Sequence, residues 1–489
     1  MICISVTPQS RRFAKADLLN ASRQCDLIEL CLDQLLKPPD MADLLSAVDN
    51  PVLVSCRRTQ DGGQWQGSEE ERLTLLRQSI VAEPAFIELD LEIAAKVPRY
   101  GSTQRVINYT SLYEPLGRSK RELEEVFERA EAVDADVVKF TWPTASLEAA
   151  WPLLAAVSQK RDRPVVGMGL GSCGLTFSLL GRKYGSPWLY AALERGMEAY
   201  EGQPTVGDLD EIHRWRTIGS KTQFIAVDGF DPPTLTMVSL FNRAADEEKL
   251  NVRLLPLTWE NTDRLKEMFE ALKINGVIGR LQGESRLAEL ADEREEAIAA
   301  GGSVDLLLKK DTGWTAYGCV WRSALSSLEA ELGGESEGER PLDRRNVMVV
   351  GSGGLARALV FGVRGRKGLV SVSGSDDQAA QQLAADLDVR FVPSQNLYDT
   401  LADIVVLADE NLVSGPGRGE LNPAFLRPPM LVLDAGCLDQ DSPLLTEARE
   451  RGCRIVEPSV VWRGVLKAVY RSLTGRDLPG ELLDEVLGS

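Results

Sequence analysis

The sequence is short of the residue that does most acid–base work near neutral pH. Of its 489 residues one is a histidine, His213. Histidine alone has an unperturbed charge change between pH 5 and 8. Proton transfer in this chain therefore falls to Lys, Asp, Glu, Tyr or water unless His213 serves. His213 lies in DLDEIHRWR, a helix-like stretch, and is expected as a solvated helix residue. Positive charge is also scarce: Lys and Arg number 55 against 73 Asp and Glu, a net charge of −18. That surface repels phosphate backbones and anionic lipid, so neither nucleic acid nor a membrane is an expected partner. No apolar run reaches the ~18 residues of a membrane helix. The opening MICISVTPQSRR has no basic stretch leading into a long apolar one, so no signal peptide is expected. The eight cysteines form no CxxC pair, and with one histidine a zinc site is not expected. The rest is ordinary for globular domains, with 44% hydrophobic and 26% charged residues. The length calls for two or three domains, and the expected setting is reduced and cytoplasmic.

The first half repeats a short β-rich run followed by an amphipathic stretch. The runs are 2–7, 27–33, 52–58, 86–92, 105–111, 137–143 and 164–170, with a weaker eighth at QPTVGDL, 203–209. Their spacing is that of strand–helix units. Eight units in this length predict a (β/α)8 barrel of the TIM type, with a doubly wound open sheet as the alternative. A second pattern starts near Lys221. TQFIAVDG and NVRLLPLTW read as strands, TLTMVSLFNRAADEE as a helix, and NTDRLKEMFEAL as a helix capped by Asn261. This is a small α/β domain, followed by the helix SALSSLEAEL and a polar loop at 333–345.

The third region carries the strongest local signal. The strand NVMVV (346–350) runs into Gly351-Ser-Gly353-Gly354-Leu355-Ala356 and then an apolar helix. Strand, glycine-rich turn and helix in succession are the context of a Rossmann-like dinucleotide site, where backbone approaches the pyrophosphate at a helix N-terminus. A tight strand–helix turn that binds nothing is the plainer reading of the same residues.

The order barrel, small α/β domain, Rossmann domain resembles the bifunctional shikimate-pathway fusion of a type I 3-dehydroquinate dehydratase and a shikimate dehydrogenase. The likeness covers nearly the whole chain. It implies a barrel at 1–215, a substrate domain at 220–330 closed by C-terminal helices at 458–489, and an NAD(P)-binding domain at 340–457. For the barrel it implies Lys139, in Asp136-Val-Val-Lys139-Phe140, as the Schiff-base lysine. A lysine between Val138 and Phe140 is partly desolvated, which lowers its pKa and frees the amine to attack a ketone. An ion pair at the strand end, with Glu29 or Asp90, is the plainer reading. The family's E-x-R-x-D strand is Glu29-Leu-Cys31-Leu-Asp33 here, so its arginine is lost. Arg57 is kept before Asp61-Gly62-Gly63, with Asp61 in place of glutamate. Glu29, Arg57, Ser178 and Gln203 take substrate-binding positions. Thr110, in Asn108-Tyr109-Thr110-Ser111, stands where the family has its catalytic histidine, and Ser178 where it has a carboxylate-binding arginine.

The dehydrogenase half departs further. The paired-serine motif is not recognisable in 229–236. The lysine position falls on Glu284, and the A-V-N-T motif becomes Ser303-Val-Asp305-Leu. The N-T-D motif becomes Gly318-Cys319-Val320. The Lys/Asp pair that relays a hydroxyl proton is absent. Cofactor contacts are expected from Gly351, Gly353, Gly354, Leu355, Ala356 and Ser373. The stretch Ser373-Gly374-Ser375-Asp376 lacks the arginine that pairs with the 2′-phosphate of NADP, so NADP or NAD stays open.

Three readings follow. One is a working bifunctional enzyme. Another is an impaired or altered Schiff-base barrel joined to an inert dehydrogenase half. The last is a noncatalytic scaffold or dinucleotide sensor that keeps both folds. The expected ligand is a small keto or hydroxy acid. No metal is expected, and a homodimer is left open.

Overall fold

The computed structural model describes residues 1–111, 120–158, 161–200, 202–281, 286–333, 340–409 and 421–487. The chain divides into two compact units. The first is Met1–Gln223 with Gly229–Asp231 and Ala245–Glu260; the second is Phe224–Asp228, Pro232–Ala244 and Asn261–Ser489.

Eight short apolar strands build the first unit: β1 (Ile2–Val6), β2 (Leu27–Cys31), β3 (Val52–Ser55), β4 (Phe86–Asp90), β5 (Gln104–Thr110), β6 (Val137–Pro143), β7 (Val165–Leu170) and β8 (Leu189–Ala191). All their pairings are parallel. The order β7-β6-β5-β4-β3-β2-β1-β8 makes a nearly closed barrel, which settles the choice against an open sheet. The eighth strand is not at 203–209. It is the three-residue Leu189–Ala191, too short to show a pattern. Thr205 instead forms a reciprocal capping box with Asp208 and starts the helix Val206–Glu211. His213, expected in solvent, is 1% exposed. The chain turns through the left-handed region at Arg214, φ +49°, and both His213 and Trp215 are buried.

A period of two sorts the barrel side chains. Cys3, Leu27, Leu53, Val106 and Val137 pack with Trp188 and Tyr190 into an apolar floor, with Phe86 against it. Two residues further along those strands stand Ser5, Glu29, Ser55, Asn108 and Lys139, and Glu88 follows Phe86 in the same way. The polar positions thus lie toward the C-terminal ends of the strands, where (β/α)8 barrels carry their chemistry.

After the barrel come β9 (Gln223–Asp228), β10 (Val252–Leu257), β11 (Gly276–Ile278), β12 (Glu293–Arg294), β13 (Leu306–Lys310) and β14 (Gly313–Tyr317). In the second unit β9, β11, β13, β14 and β12 are neighbours in that order, with antiparallel β11–β13 and β13–β14 pairs. The helix after Asn261 begins at Leu265, later than expected. The Asn261 side chain accepts from the Asp263 N–H at 3.2 Å, holding a turn ahead of the helix.

The chain then forms β15 (Asn346–Val350), β16 (Leu369–Ser373), β17 (Arg390–Phe391), β18 (Ile404–Leu407), β19 (Leu431–Asp434) and β20 (Arg454–Val456). All their pairs are parallel. The order β17-β16-β15-β18-β19-β20 is that of the doubly wound dinucleotide fold, with its switch point between β15 and β18. The long helix Pro458–Thr474 returns toward the β9 side of the unit. Its Tyr470 meets Phe241 edge-on at 5.0 Å.

Candidate functional site

Lys139 projects from β6 into the barrel and is fully enclosed, at 0% exposure. Its Nζ donates to Glu88 Oε2 at 2.7 Å. It lies 4.0 Å from Glu29 Oε1 and 4.6 Å from the centre of the Tyr190 ring. The plainer reading of the sequence paired this lysine with Glu29 or Asp90. Asp90 does not take part: its carboxylate accepts from Arg72 Nη2 at 2.6 Å. Arg72, buried on the helix Glu69–Val81, also donates to Glu69 and to the Cys56 carbonyl.

The two glutamates are tuned apart. Burial pushes the Glu29 carboxyl up, but the charges of Lys139 and Arg57 and a hydrogen bond from Ser5 hold it below its usual range. Burial outweighs the pull of Lys139 at Glu88, and the charge of Glu29 adds to the rise, so Glu88 sits above its usual range. Two carboxyls with diverging proton affinities beside one amine are a recurrent acid–base arrangement. Glu88 escaped the sequence reading. The alternation Phe86, Glu88, Asp90 along β4 put it on the inward face, and that was the available signal.

Glu29 Oε2 accepts from Ser5 Oγ at 2.7 Å. Ser5 in turn accepts from Gln203 Nε2 at 3.3 Å, and Gln203 Oε1 accepts from the Ala199 N–H at 2.7 Å. Glu29, Gln203 and Lys139 are thus brought together. Arg57 is 4% exposed. Its Nη2 reaches Cys31 Sγ at 3.5 Å, and its Nε has no partner. A buried guanidinium with so few bonds is costly unless a ligand completes them.

The remaining predicted barrel residues are engaged elsewhere. Asp61 accepts from Arg58 Nε at 2.5 Å. Thr110 Oγ1 accepts from Asn108 Nδ2 at 2.8 Å, and Asn108 Oδ1 accepts from Thr141 at 3.1 Å. Ser178 donates to the Gly174 carbonyl at 3.1 Å, a bond inside its own helix Gly174–Tyr184.

In the Rossmann-like sheet, Gly351 opens the turn after β15 at φ +143°. A Cβ there would lie 3.1 Å from the backbone of Ala408, just past β18. The glycine therefore keeps the crevice at the switch point open. The helix Gly354–Gly365 starts at Gly353, and no side chain caps it. Ser373, at the end of β16, is fully buried and its hydroxyl has no partner. An uncapped helix N-terminus, an open crevice and an orphan hydroxyl fit a dinucleotide. Asp376 is engaged as the cap of the next helix, accepting from Gln378 and Ala379 N–H.

In the β9–β14 region the proton-relay positions are filled differently. Val320 is buried. Asp305 accepts from the Cys319 N–H at 2.6 and 2.8 Å and from the Val320 N–H at 2.8 Å. It heads the helix Val320–Glu331. Burial pushes its carboxyl up to about 6 against those hydrogen bonds. Glu284 lies outside the described residues. No group of three or more His, Cys, Asp and Glu able to hold a metal ion occurs among the described residues. No helix there is long and apolar enough to cross a membrane.

Comparison with known proteins agrees with this architecture. Residues 2–220 match the family model of type I 3-dehydroquinase, and the N-terminal barrel is a type I dehydroquinase domain. Beyond that domain the likeness is to proteins that carry a shikimate dehydrogenase. The chain is similar over 94% of its length, at 23% identity, to the Arabidopsis thaliana bifunctional 3-dehydroquinate dehydratase/shikimate dehydrogenase, chloroplastic, and spans 80% of that protein. The barrel is 27% identical to the 3-dehydroquinate dehydratase of Methanocaldococcus jannaschii, over 45% of this chain and all of that enzyme. Among solved structures, shikimate dehydrogenase from Aquifex aeolicus matches 55% of this chain and 99% of its own at 20% identity, TM-score 0.46.

Proposed function

We propose that the barrel is a Schiff-base domain in which Lys139 condenses with the carbonyl of a small keto acid of the 3-dehydroquinate type. We propose further that its dehydration is impaired and that the dehydrogenase half is inert. The observation that carries the barrel reading is the enclosed lysine with Glu88 at 2.7 Å. A carboxyl of raised proton affinity next to an ammonium can take its proton and leave a neutral amine. The Nζ lone pair then forms the C–N bond, and the carbonyl oxygen takes one proton from the amine and the one held by Glu88 and leaves as water, which returns Glu88 to its carboxylate. Arg57, with its free Nε, suits the acid's negative charge. The loss of a histidine at Thr110 favours a slow enzyme, since one general base is typically worth ~10²–10⁴ in rate.

Two features support inertness in the second half. Val320 offers no acid, and the Asp305 carboxylate is spent on backbone N–H groups. A nicotinamide dinucleotide, when bound, supplies a hydride donor or acceptor. Gly351, Gly353, Gly354, Leu355 and Ala356 would hold its pyrophosphate by backbone, and Ser373 would contribute its hydroxyl. The negative charge of Asp376 near the end of β16 favours NAD over NADP. All eight cysteines are free, which suits a reducing cytoplasmic setting.

The test is intact-protein mass spectrometry after borohydride reduction with 3-dehydroquinate. An adduct on the wild type and none on Lys139→Ala is expected; no adduct on either refutes the barrel reading. Reduction of NADP⁺ or NAD⁺ with shikimate at an ordinary enzymatic rate refutes the inert second half.

A further inference from the structure

We propose that Glu88 is the base that removes the proton alpha to the imine carbon, a task for which no histidine is present in the barrel's inward face. The inference rests on the imine reading above and deepens it. One oxygen of Glu88 lies on Lys139 Nζ at 2.7 Å. The other, Oε1, is buried and has no partner. In an imine the alpha carbon is two bonds from Nζ. A carboxylate with one oxygen on the nitrogen therefore presents its second oxygen toward a hydrogen on that carbon, which is the reach general-base catalysis requires.

Among the other inward or rim carboxyls two are taken by arginines, while Asp33 Oδ1 and Glu29 Oε1 share with Glu88 Oε1 the lack of a hydrogen bond but lie on side chains farther from the lysine or bound elsewhere. Asp90 is held by Arg72 and Asp61 by Arg58. Asp33 Oδ2 accepts from the Gln64 N–H at 2.8 Å. Glu29 is farther from Nζ, at 4.0 Å, and one of its oxygens takes the Ser5 hydroxyl. The Thr110 hydroxyl is not a base near neutral pH. The direction of the Glu88 shift agrees with the role: burial and the charge of Glu29 raise its proton affinity, whereas Glu29 is held low and is the weaker base.

The step balances within the site. Glu88 as carboxylate takes the alpha hydrogen as a proton, and the C–H electron pair moves into the bond to the imine carbon, giving an enamine and a protonated Glu88. In a substrate with a hydroxyl on the next carbon, the enamine pair expels that hydroxyl. The proton on Glu88 goes to it, so water leaves and the carboxylate is regenerated. Neither oxidant nor metal enters.

The test separates imine formation from proton removal. Wild type, Glu88→Gln and Glu88→Asp are each incubated with 3-dehydroquinate in deuterium oxide and trapped with borohydride. Intact mass reads the adduct in the trapped sample, and ketone recovered from a sample taken before borohydride is added reads deuterium at the alpha carbon. The expected result is an adduct on all three proteins, formed more slowly in Glu88→Gln, where Glu29 at 4.0 Å is the carboxyl left to take the amine proton. Exchange should fall by at least ~100-fold in Glu88→Gln and be partly kept in Glu88→Asp. The wild-type exchange rate should also drop as the solution is acidified and Glu88 takes up its proton. Exchange at the wild-type rate in Glu88→Gln overturns the proposal. So does loss of the adduct from both variants, which would confine Glu88 to deprotonating the amine. No adduct on the wild type sinks the imine reading itself, a different failure.

Discussion

Lys139 Nζ lies 2.7 Å from Glu88 and 4.0 Å from Glu29, and all three side chains are enclosed in the barrel. A cation between two buried carboxyls stabilises the fold as well as serving chemistry. Breaking a buried pair by removing one partner costs about 3–5 kcal/mol. Lys139→Ala is therefore expected to lower the unfolding free energy, read from the urea midpoint, by an amount of that order. The double variant Lys139→Met/Glu88→Gln should recover part of the loss. Midpoints within error of the wild type in the single variant count against the ion triad.

His213 gives a pH signature. Burial lowers its pKa from 6.5 to about 4. The unfolded chain therefore binds a proton that the folded chain does not. The stability His213 allows is fully present above pH 6.5 and is lost as pH falls toward 4. The wild type should lose about 3 kcal/mol more than His213→Phe between pH 7 and 4. An equal loss of unfolding free energy in the two proteins, read by urea unfolding at pH 7 and pH 4, would contradict the burial.

Asp305 has the opposite sign. Its carboxyl rises from 3.8 to about 6, so the folded state holds the proton more tightly. Its contribution is greatest below pH 3.8 and is lost as pH rises through 6. Asp305→Asn is expected to flatten this dependence in thermal unfolding between pH 4 and 7. An unchanged profile argues against a titrating cap.

Gly351→Ala places a methyl 3.1 Å from the Ala408 backbone at φ +143°. A strained backbone of this kind costs about 1–3 kcal/mol. The variant should lose stability and any NAD affinity together, read by calorimetric titration. Retained affinity would mean that the crevice is not the dinucleotide site.

Asp376→Asn keeps an acceptor for the two backbone N–H groups it caps and removes a charge. NADP affinity should rise roughly tenfold relative to NAD, the size of a ~1.4 kcal/mol repulsion. An unchanged ratio in fluorescence titration places the ribose elsewhere.

The barrel was legible because its strands are apolar runs at regular intervals. The Rossmann turn was legible because strand, glycines and helix are contiguous in sequence. What stayed hidden was non-local. Glu88 and Lys139 are 51 residues apart, and only the closing of the sheet sets them face to face. Asp90 looked equally able to meet the lysine until Arg72 claimed it from a neighbouring helix. His213 has a helix-like surface sequence on both sides, and its burial follows from one left-handed residue, Arg214. The strand Leu189–Ala191 is too short for any period, whereas QPTVGDL carries a capping signal that reads as a strand only if Thr205 is ignored.

The Asp305 carboxylate, fastened by three hydrogen bonds to the two backbone N–H groups of Cys319 and Val320, already occupies the start of the helix that follows. Placing an aspartate at position 320 would set a second negative charge beside the first at the same helix start. Introducing an acid there therefore calls for a paired change at Asp305 rather than a single substitution.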